Sequence, residues 1–402
     1  MPDSWAELPP TAGLPPRCAD LWPFGARVPL LPPGIAEGVA LRLCSGTAAL
    51  VVALQTLQRR SARREVVVPA YTCPLVALAV ARCGLRLRLC DLADDRPDFD
   101  TAALREVCGA DTLAVVVTHL GGRVADLATA RAVADAAGAA LIEDAAQAWG
   151  GRHGDTPLGL VGDIGFFSLA VGKGITVYEG GLLVARDAEL RAALRAQAAS
   201  TAPPRLGWEL RRSVELLAYH LLYRPWGLGL AYGWPHRRAR RRGDWIAAVG
   251  DDFDARIPLH GIGVWRRRVG ERAARRWPAY AQALREQALR RLPALQALPG
   301  VTVFTDSPGD SGTWPFLWLR LPDTATRDAV LEASAPQRLG VTRLYVHALP
   351  DYAYLQRIVD SAEDVPRARE IAACSLTVTN SLWSDDAAFA RVLAILQRVL
   401  NR

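Results

Sequence analysis

Two uninterrupted apolar runs constrain the fold more than any other feature of this chain. Val66-Val67-Val68 runs straight into Pro69, and Leu113 to Thr118 runs into His119-Leu120-Gly121-Gly122. Neither alternates polar with apolar residues, so each reads as a strand buried on both faces. Leu85 to Cys90, Ala140 to Ile142, Asp163 to Ser168 and Leu182 to Ala185 read as further short strands. The stretches between them carry helix signals. Ser45 or Thr47 caps an Ala- and Leu-rich run to Gln58, Pro74 opens a helix that stops at Gly84, Asp126 caps one ended by Gly138, and Asp187 starts another. Alternating strands and helices predict an α/β fold whose mostly parallel central sheet is covered on both faces.

Ligands in such sheets bind beyond the carboxyl ends of the strands. Several chemically capable residues fall at those ends. The chain has 48 Lys+Arg, and Lys173 is the sole lysine among them. Arginine stays protonated, whereas a buried lysine can lose its proton and attack a carbonyl, including that of pyridoxal phosphate. Gly172 and Gly174 flank it, and Ser168 stands five residues before it. Asp144 follows the strand at 140–142. A carboxylate there needs a partner, either a protonated pyridine nitrogen or a helix start that it caps. The turn Ser45-Gly46-Thr47 opens a helix, so its free N–H groups suit a phosphate as well as an ordinary cap. Tyr71 lies just past a strand end, placed for ligand contact or for packing.

Five segments in this order carry a resemblance: SGTAAL at 45–50, VVVPAYTCP at 66–74, VVTHLGG at 116–122, LIEDAAQAWGG at 141–151 and GDIGFFSLAVGKGITVYEGGLLV at 162–184. Together they are similar to the DegT-type family of nucleotide-sugar aminotransferases. These are pyridoxal 5'-phosphate enzymes of the aspartate-aminotransferase fold (fold type I), three-layered, with a smaller C-terminal α/β domain. The resemblance implies that Lys173 holds the cofactor as a Schiff base and shuttles the proton during transfer. It implies that Asp144 pairs with the pyridinium nitrogen, that Gln147 bonds the ring hydroxyl, and that Ser168, Gly46 and Thr47 hold the phosphate. It further implies a homodimer that passes an amino group from an amino acid, with glutamate expected, to a nucleotide-linked keto sugar in glycan biosynthesis. Where the family stacks an aromatic ring on the cofactor, this chain has Cys73, with Tyr71 nearby as a substitute. Trp149 replaces the family's usual His, and Gly174 its usual Asn. The family's cross-subunit asparagine has no counterpart, the only asparagines being Asn380 and Asn401. On the substrate side the candidates are His119, Glu179 and the segment bearing Arg343, Tyr345 and His347, for which packing is the alternative. A reaction-diverged or non-catalytic relative that binds a sugar nucleotide or a membrane partner is the competing expectation.

The expected organisation is an N-terminal arm over 1–34, a large cofactor domain over 35–264, and a linking helix over 265–292 that opens a small domain over 265–402. Residues 208–242 form an apolar, aromatic and arginine-rich insert with no recognised counterpart. Arg224 and Pro225 interrupt its apolar run, so it does not read as a spanning helix. Packing of an extra helical hairpin is preferred over peripheral membrane contact through 214–242. The net charge of +7 is a mild bias, and no nucleic-acid module accompanies it. Seven cysteines lack any CxxC pair, so neither a disulfide framework nor a metal site is expected, and a cytoplasmic setting is.

Overall fold

In the computed structural model, residues 6–22, 24–359 and 363–401 are described. Parts of the expected arm, residues 1–5 and 23, lie outside them. Seven strands form the main sheet: β1 (Ala40–Leu43), β2 (Glu65–Pro69), β3 (Arg86–Cys90), β4 (Thr112–Thr118), β5 (Ala140–Asp144), β6 (Ile164–Ser168) and β7 (Gly181–Ala185). Their spatial order is β1-β7-β6-β5-β4-β2-β3. The pairs β2–β3, β2–β4, β4–β5 and β5–β6 are parallel, and β7 turns back antiparallel between β6 and β1.

Successive valines of β2 and β4 go to opposite cores. Val66, Val68 and Val116 pack with α1 (Gly46–Arg60) and α2 (Pro74–Arg82). Val67, Val115 and Val117 pack on the other face with α3 (Thr101–Val107), α4 (Leu127–Ala137) and the arm residues Leu14, Leu30 and Leu31. The apolar runs are therefore continuous because both faces of the sheet are covered. Capping follows the side chains: Ser45 accepts from the Ala48 N–H, Asp126 from Thr129, and Asp187 from Leu190 at the start of α5 (Ala188–Thr201).

The insert is helical. It comprises α6 (Leu206–Leu222), a short turn at Pro225–Leu228, a wide helical turn at Gly229–Gly233 and α7 (Trp234–Arg241). Among the described residues no helix is long and apolar enough to cross a membrane. The single long helix expected from Trp265 is instead two, α8 (Val264–Ala274) and α9 (Trp277–Gln296). Pro278 in the first turn of α9 lacks an N–H and restricts the residue before it, so the chain restarts there.

A second, antiparallel sheet combines β8 (Thr302–Val303), β9 (Phe316–Arg320), β10 (Val341–Thr342) and β11 (Ser375–Thr379) in the order β8-β9-β11-β10. Leu317, Leu319, Leu376 and Val378 bury one of its faces under α9, α10 (Thr324–Ser334) and α11 (Asp386–Leu400). Arm residues bridge the two sheets' surroundings: Ala12 N–H donates to Pro315 O, and Leu14 N–H to Gly174 O.

Candidate active site

Three strands of the main sheet end on chemically useful residues. Thr118 closes β4, Asp144 closes β5 opposite it, and Ser168 closes β6. All three line one cavity of about 360 Å³, together with Gly46, Thr47, Cys73, Gln147, Lys173, Asp251 and Tyr345. This is the carboxyl edge of the parallel strands, where the alternation of β and α elements leaves a crevice.

At one end Ser168 pairs in register with Gly181, and Gly181 lies against the Ser45–Gly46 turn that starts α1. A Cβ on Gly46 would come to 3.3 Å from both the Phe167 carbonyl and the Ser168 side chain. The turn is thus pressed onto the strand end. The N–H groups at the start of α1, a helix of 15 residues, sit beside the cavity with the positive end of its dipole.

Lys173 sits in the tight loop between β6 and β7. Its N–H donates to Ala170 O, and Thr11 of the arm holds the Gly172 carbonyl. The side chain is packed deep, its remaining exposure being to the cavity. Burial lowers its pKa, while Cys73 and Asp144 act in the opposite direction. Asp144 is buried, and burial raises its pKa, opposed by the Ala146 N–H, Lys173 and His119. Ala146 N–H reaches Oδ1 at 3.0 Å, and among the described residues no hydrogen bond reaches Oδ2. Burial pushes the Cys73 thiol up to about 11, so it stays neutral. Gln147 is held at both ends, its Oε1 accepting from Gly121 N–H at 2.7 Å and its Nε2 donating to the Tyr345 hydroxyl at 3.2 Å.

The remaining expected residues lie elsewhere. Tyr71 is fully buried, stacked on Trp318, with its hydroxyl bonded to the backbone N–H and O of Tyr345. It positions Tyr345 and does not line the cavity. His119 is equally buried: Nδ1 accepts from Ala125 N–H, and Nε2 donates to Glu143. Glu143 also accepts from the N–H groups of Gly159, Val161 and Gly162, so the pair closes a loop of the core. Glu179 is taken by Trp208 and Arg212 of α6. Arg343 pairs with Asp328 and covers Trp245, and His347 packs edge-on against Tyr352. None of these five lines the cavity, whereas Tyr345 does. Asn380, buried, bonds the carbonyls of Leu284 and Trp314 in the second sheet's surroundings.

A Cβ on Gly174 would lie 2.8 Å from the Trp149 Cβ and 2.9 Å from the Trp277 indole, so position 174 has no room for a side chain.

One site residue was missed in the sequence. Asp251 is 3% exposed and lines the cavity from the loop after the insert. Its Oδ2 accepts from Val346 N–H at 2.9 Å and from the Tyr352 hydroxyl at 2.7 Å, and among the described residues Oδ1 accepts from none. Burial pushes it up to about 6. Its only local signal is the acidic run Asp251-Asp252-Phe253-Asp254 in an arginine-rich stretch.

Residues 35–203 match the DegT/DnrJ/EryC1/StrS aminotransferase family. Over 146 residues, 36% of this chain and 34% of the relative, the sequence is 39% identical to L-glutamine:2-deoxy-scyllo-inosose aminotransferase of Streptoalloteichus tenebrarius. It is 36% identical over 163 residues to UDP-N-acetyl-3-dehydro-alpha-D-glucosamine 3-aminotransferase of Acidithiobacillus ferrooxidans, covering 40% of this chain and 43% of that one. The match thus spans about a third to two fifths of the curated relatives' length. The fold is similar to that of the aminotransferase TlmJ from Streptoalloteichus hindustanus, with a TM-score of 0.68 at 22% identity over 92% of this chain and 87% of that one. Aminotransferases of this family use pyridoxal 5'-phosphate. The site fits that group: a buried amine of lowered pKa, a buried carboxylate with one oxygen unbonded, and a helix start beside Ser168. Over residues 35–203, the chain is similar to the DegT/DnrJ/EryC1/StrS aminotransferase family.

Proposed function

We propose that this chain is a pyridoxal-phosphate-dependent aminotransferase that moves an amino group from an amino acid to a ring ketone of a polyhydroxylated substrate. The observation that carries the reading is the single cavity bounded by Lys173, Asp144 and the Gly46–Thr47 helix start. The cofactor, when bound, supplies an electron sink for breaking the Cα–H bond of an amine. Burial favours the neutral form of Lys173, so Nζ is ready to bind a carbonyl carbon and later to carry a proton between carbon atoms. The unbonded oxygen of Asp144 is placed to hold a proton on a pyridine nitrogen. Ser168 and the N–H groups of Gly46 and Thr47 would hold its phosphate. Gln147, fixed by Gly121 and Tyr345, lines the same cavity and would contact a ring substituent of the cofactor.

For the donor, the relative from Streptoalloteichus tenebrarius names L-glutamine, and we place glutamine before the glutamate expected from the sequence. For the acceptor, the relatives name both a free cyclitol ketone and a nucleotide-linked keto sugar. Asp251 favours the free ring ketone. A buried carboxylate with an unbonded oxygen accepts from hydroxyl or ammonium groups and repels a pyrophosphate. The nucleotide-linked ketone is the second reading, supported by the Acidithiobacillus relative.

The test is the visible absorption of protein reconstituted with pyridoxal phosphate. A band absent from Lys173→Ala, and bleached by glutamine in the wild type, is expected. Addition of 2-deoxy-scyllo-inosose should then restore it. Absence of any lysine-dependent band would sink the reading. Restoration by the UDP-linked ketone alone would move the acceptor to the second class.

A further inference from the structure

Helix α6 is turned inside out. Its acidic and aromatic polar residues face the protein: Glu209 binds the fully buried Arg266, Glu215 binds Arg212, and Tyr219 and His220 are buried. Leu216 is buried with them, but five other aliphatic residues face away. Leu206, Leu210, Val214, Leu217 and Leu221 are between 42% and 85% exposed. At 100° per residue these positions fall within an arc of about 80°, a continuous stripe along the helix. The next turns prolong the apolar surface through Trp226, Leu230 and Trp234, each more than half exposed. Monomeric proteins rarely leave a patch of this kind uncovered.

Charge identifies what covers it. From 203 to 242 every exposed charged residue is an arginine: Arg205, Arg211, Arg224, Arg238, Arg241 and Arg242. The two acids of this stretch, Glu209 and Glu215, are engaged in the ion pairs described. Arg237 and Arg240 of α7 are used inward, on Glu7 and over Trp245, which leaves the other three arginines of 237–242 exposed, Arg238 lying over the Trp234 ring. A second copy of this chain meeting the patch about a twofold axis would bring arginine against arginine. An anionic lipid surface meets both features at once. Apolar side chains enter the acyl boundary, indoles lie at the headgroup level, and guanidinium groups pair with phosphates.

We propose that residues 206–242 form an interfacial membrane-binding surface that holds this enzyme on anionic lipid bilayers without spanning them. The proposal is independent of the reaction assigned to the cavity. It reverses the preference drawn from the sequence, because eight large apolar residues of the insert prove to be exposed.

The test is co-sedimentation of the full-length holoprotein with vesicles of phosphatidylcholine alone and of equal parts phosphatidylcholine and phosphatidylglycerol. Binding to the mixed vesicles and not to the neutral ones is expected. Leu210→Asp combined with Leu217→Asp and Leu221→Asp should abolish it. These positions are at the surface, and melting temperature checks that the fold is kept. Arg238→Glu with Arg241→Glu, a second variant, should lower partitioning by at least about fivefold per arginine. No binding to the mixed vesicles, or binding that the aspartate variant retains, would overturn the proposal. So would light scattering in which the wild type is a larger assembly that the aspartate variant breaks, since that outcome gives the face to a second copy.

Discussion

Replacing Asp251 by Asn should change how stability depends on pH. The carboxyl titrates near 3.8 in the unfolded chain and at about 6 in the fold, because burial penalises its charged form. At 1.36 kcal/mol per pH unit the difference is about 3 kcal/mol. Its sign is the reverse of the ion-paired carboxylate case. The stability contributed by the raised pKa is fully present below about pH 4. It is lost as pH rises to about 6 and stays lost above, where the group is ionised in both states. The groups facing Asp251 are the hydroxyls of Tyr352, Tyr354, Tyr345 and Tyr71 and the Cys73 thiol, all pushed upward and neutral across this range. The neutral amide of Asn can still accept from Val346 and Tyr352, so the pH-independent part of the change is small. Urea unfolding followed by tryptophan fluorescence, on both proteins from pH 4 to 8, reads the effect. The wild type should lose up to about 3 kcal/mol relative to Asp251→Asn between pH 4 and 6, with a constant gap above. A gap that does not vary with pH would mean that Asp251 is solvated in the fold, and its role in acceptor choice would fall with it.

Other outcomes follow from the same contacts. Since Lys173 is the sole lysine, an endoproteinase specific for lysine cuts the unfolded chain once; after loading with pyridoxal phosphate and borohydride reduction, that cut should disappear in the peptide map, and its persistence would place the cofactor elsewhere. Gly181→Val drives a side chain into the Ser45 carbonyl and should weaken pyridoxal phosphate binding at least about tenfold by fluorescence titration, roughly one lost hydrogen bond to a charged group; unchanged affinity would clear that turn of a phosphate role. Glu209→Gln leaves the buried Arg266 guanidinium without its carboxylate and should lower unfolding free energy by about 3 kcal/mol in urea; a loss under about 1 kcal/mol would show that the carbonyls of Val177 and Glu179 suffice for it.

The strands were legible because burial on both faces leaves its mark residue by residue, as in Val66-Val67-Val68. The helix starts were legible because Ser45, Asp126 and Asp187 cap their own chains. The cavity residues near 46, 144, 168 and 173 were legible because they sit at strand ends and turns of one continuous α/β pattern. Asp251 was not, since its place depends on a loop folding back from beyond the insert onto Val346 and Tyr352. His119, Glu179, Arg343 and His347 lie off the cavity for the converse reason. A polar residue beside a site motif is equally suited to a ligand or to a buried partner, and its partners here, Glu143, Arg212, Asp328 and Tyr352, come from distant positions.

Local chemistry by itself determined the sheet, its caps and the amine that arginine cannot replace. Those properties depend on neighbours a few residues away, whose periodicity and φ/ψ preferences are written in order. Only the tertiary structure decided which face of α6 meets water, which of Tyr71 and Tyr345 lines the cavity, and that the Trp277 indole closes the space beside Gly174. Each of these is a matter of contacts between residues far apart in the chain, where burial is a property of the packed fold and not of any residue's own side chain.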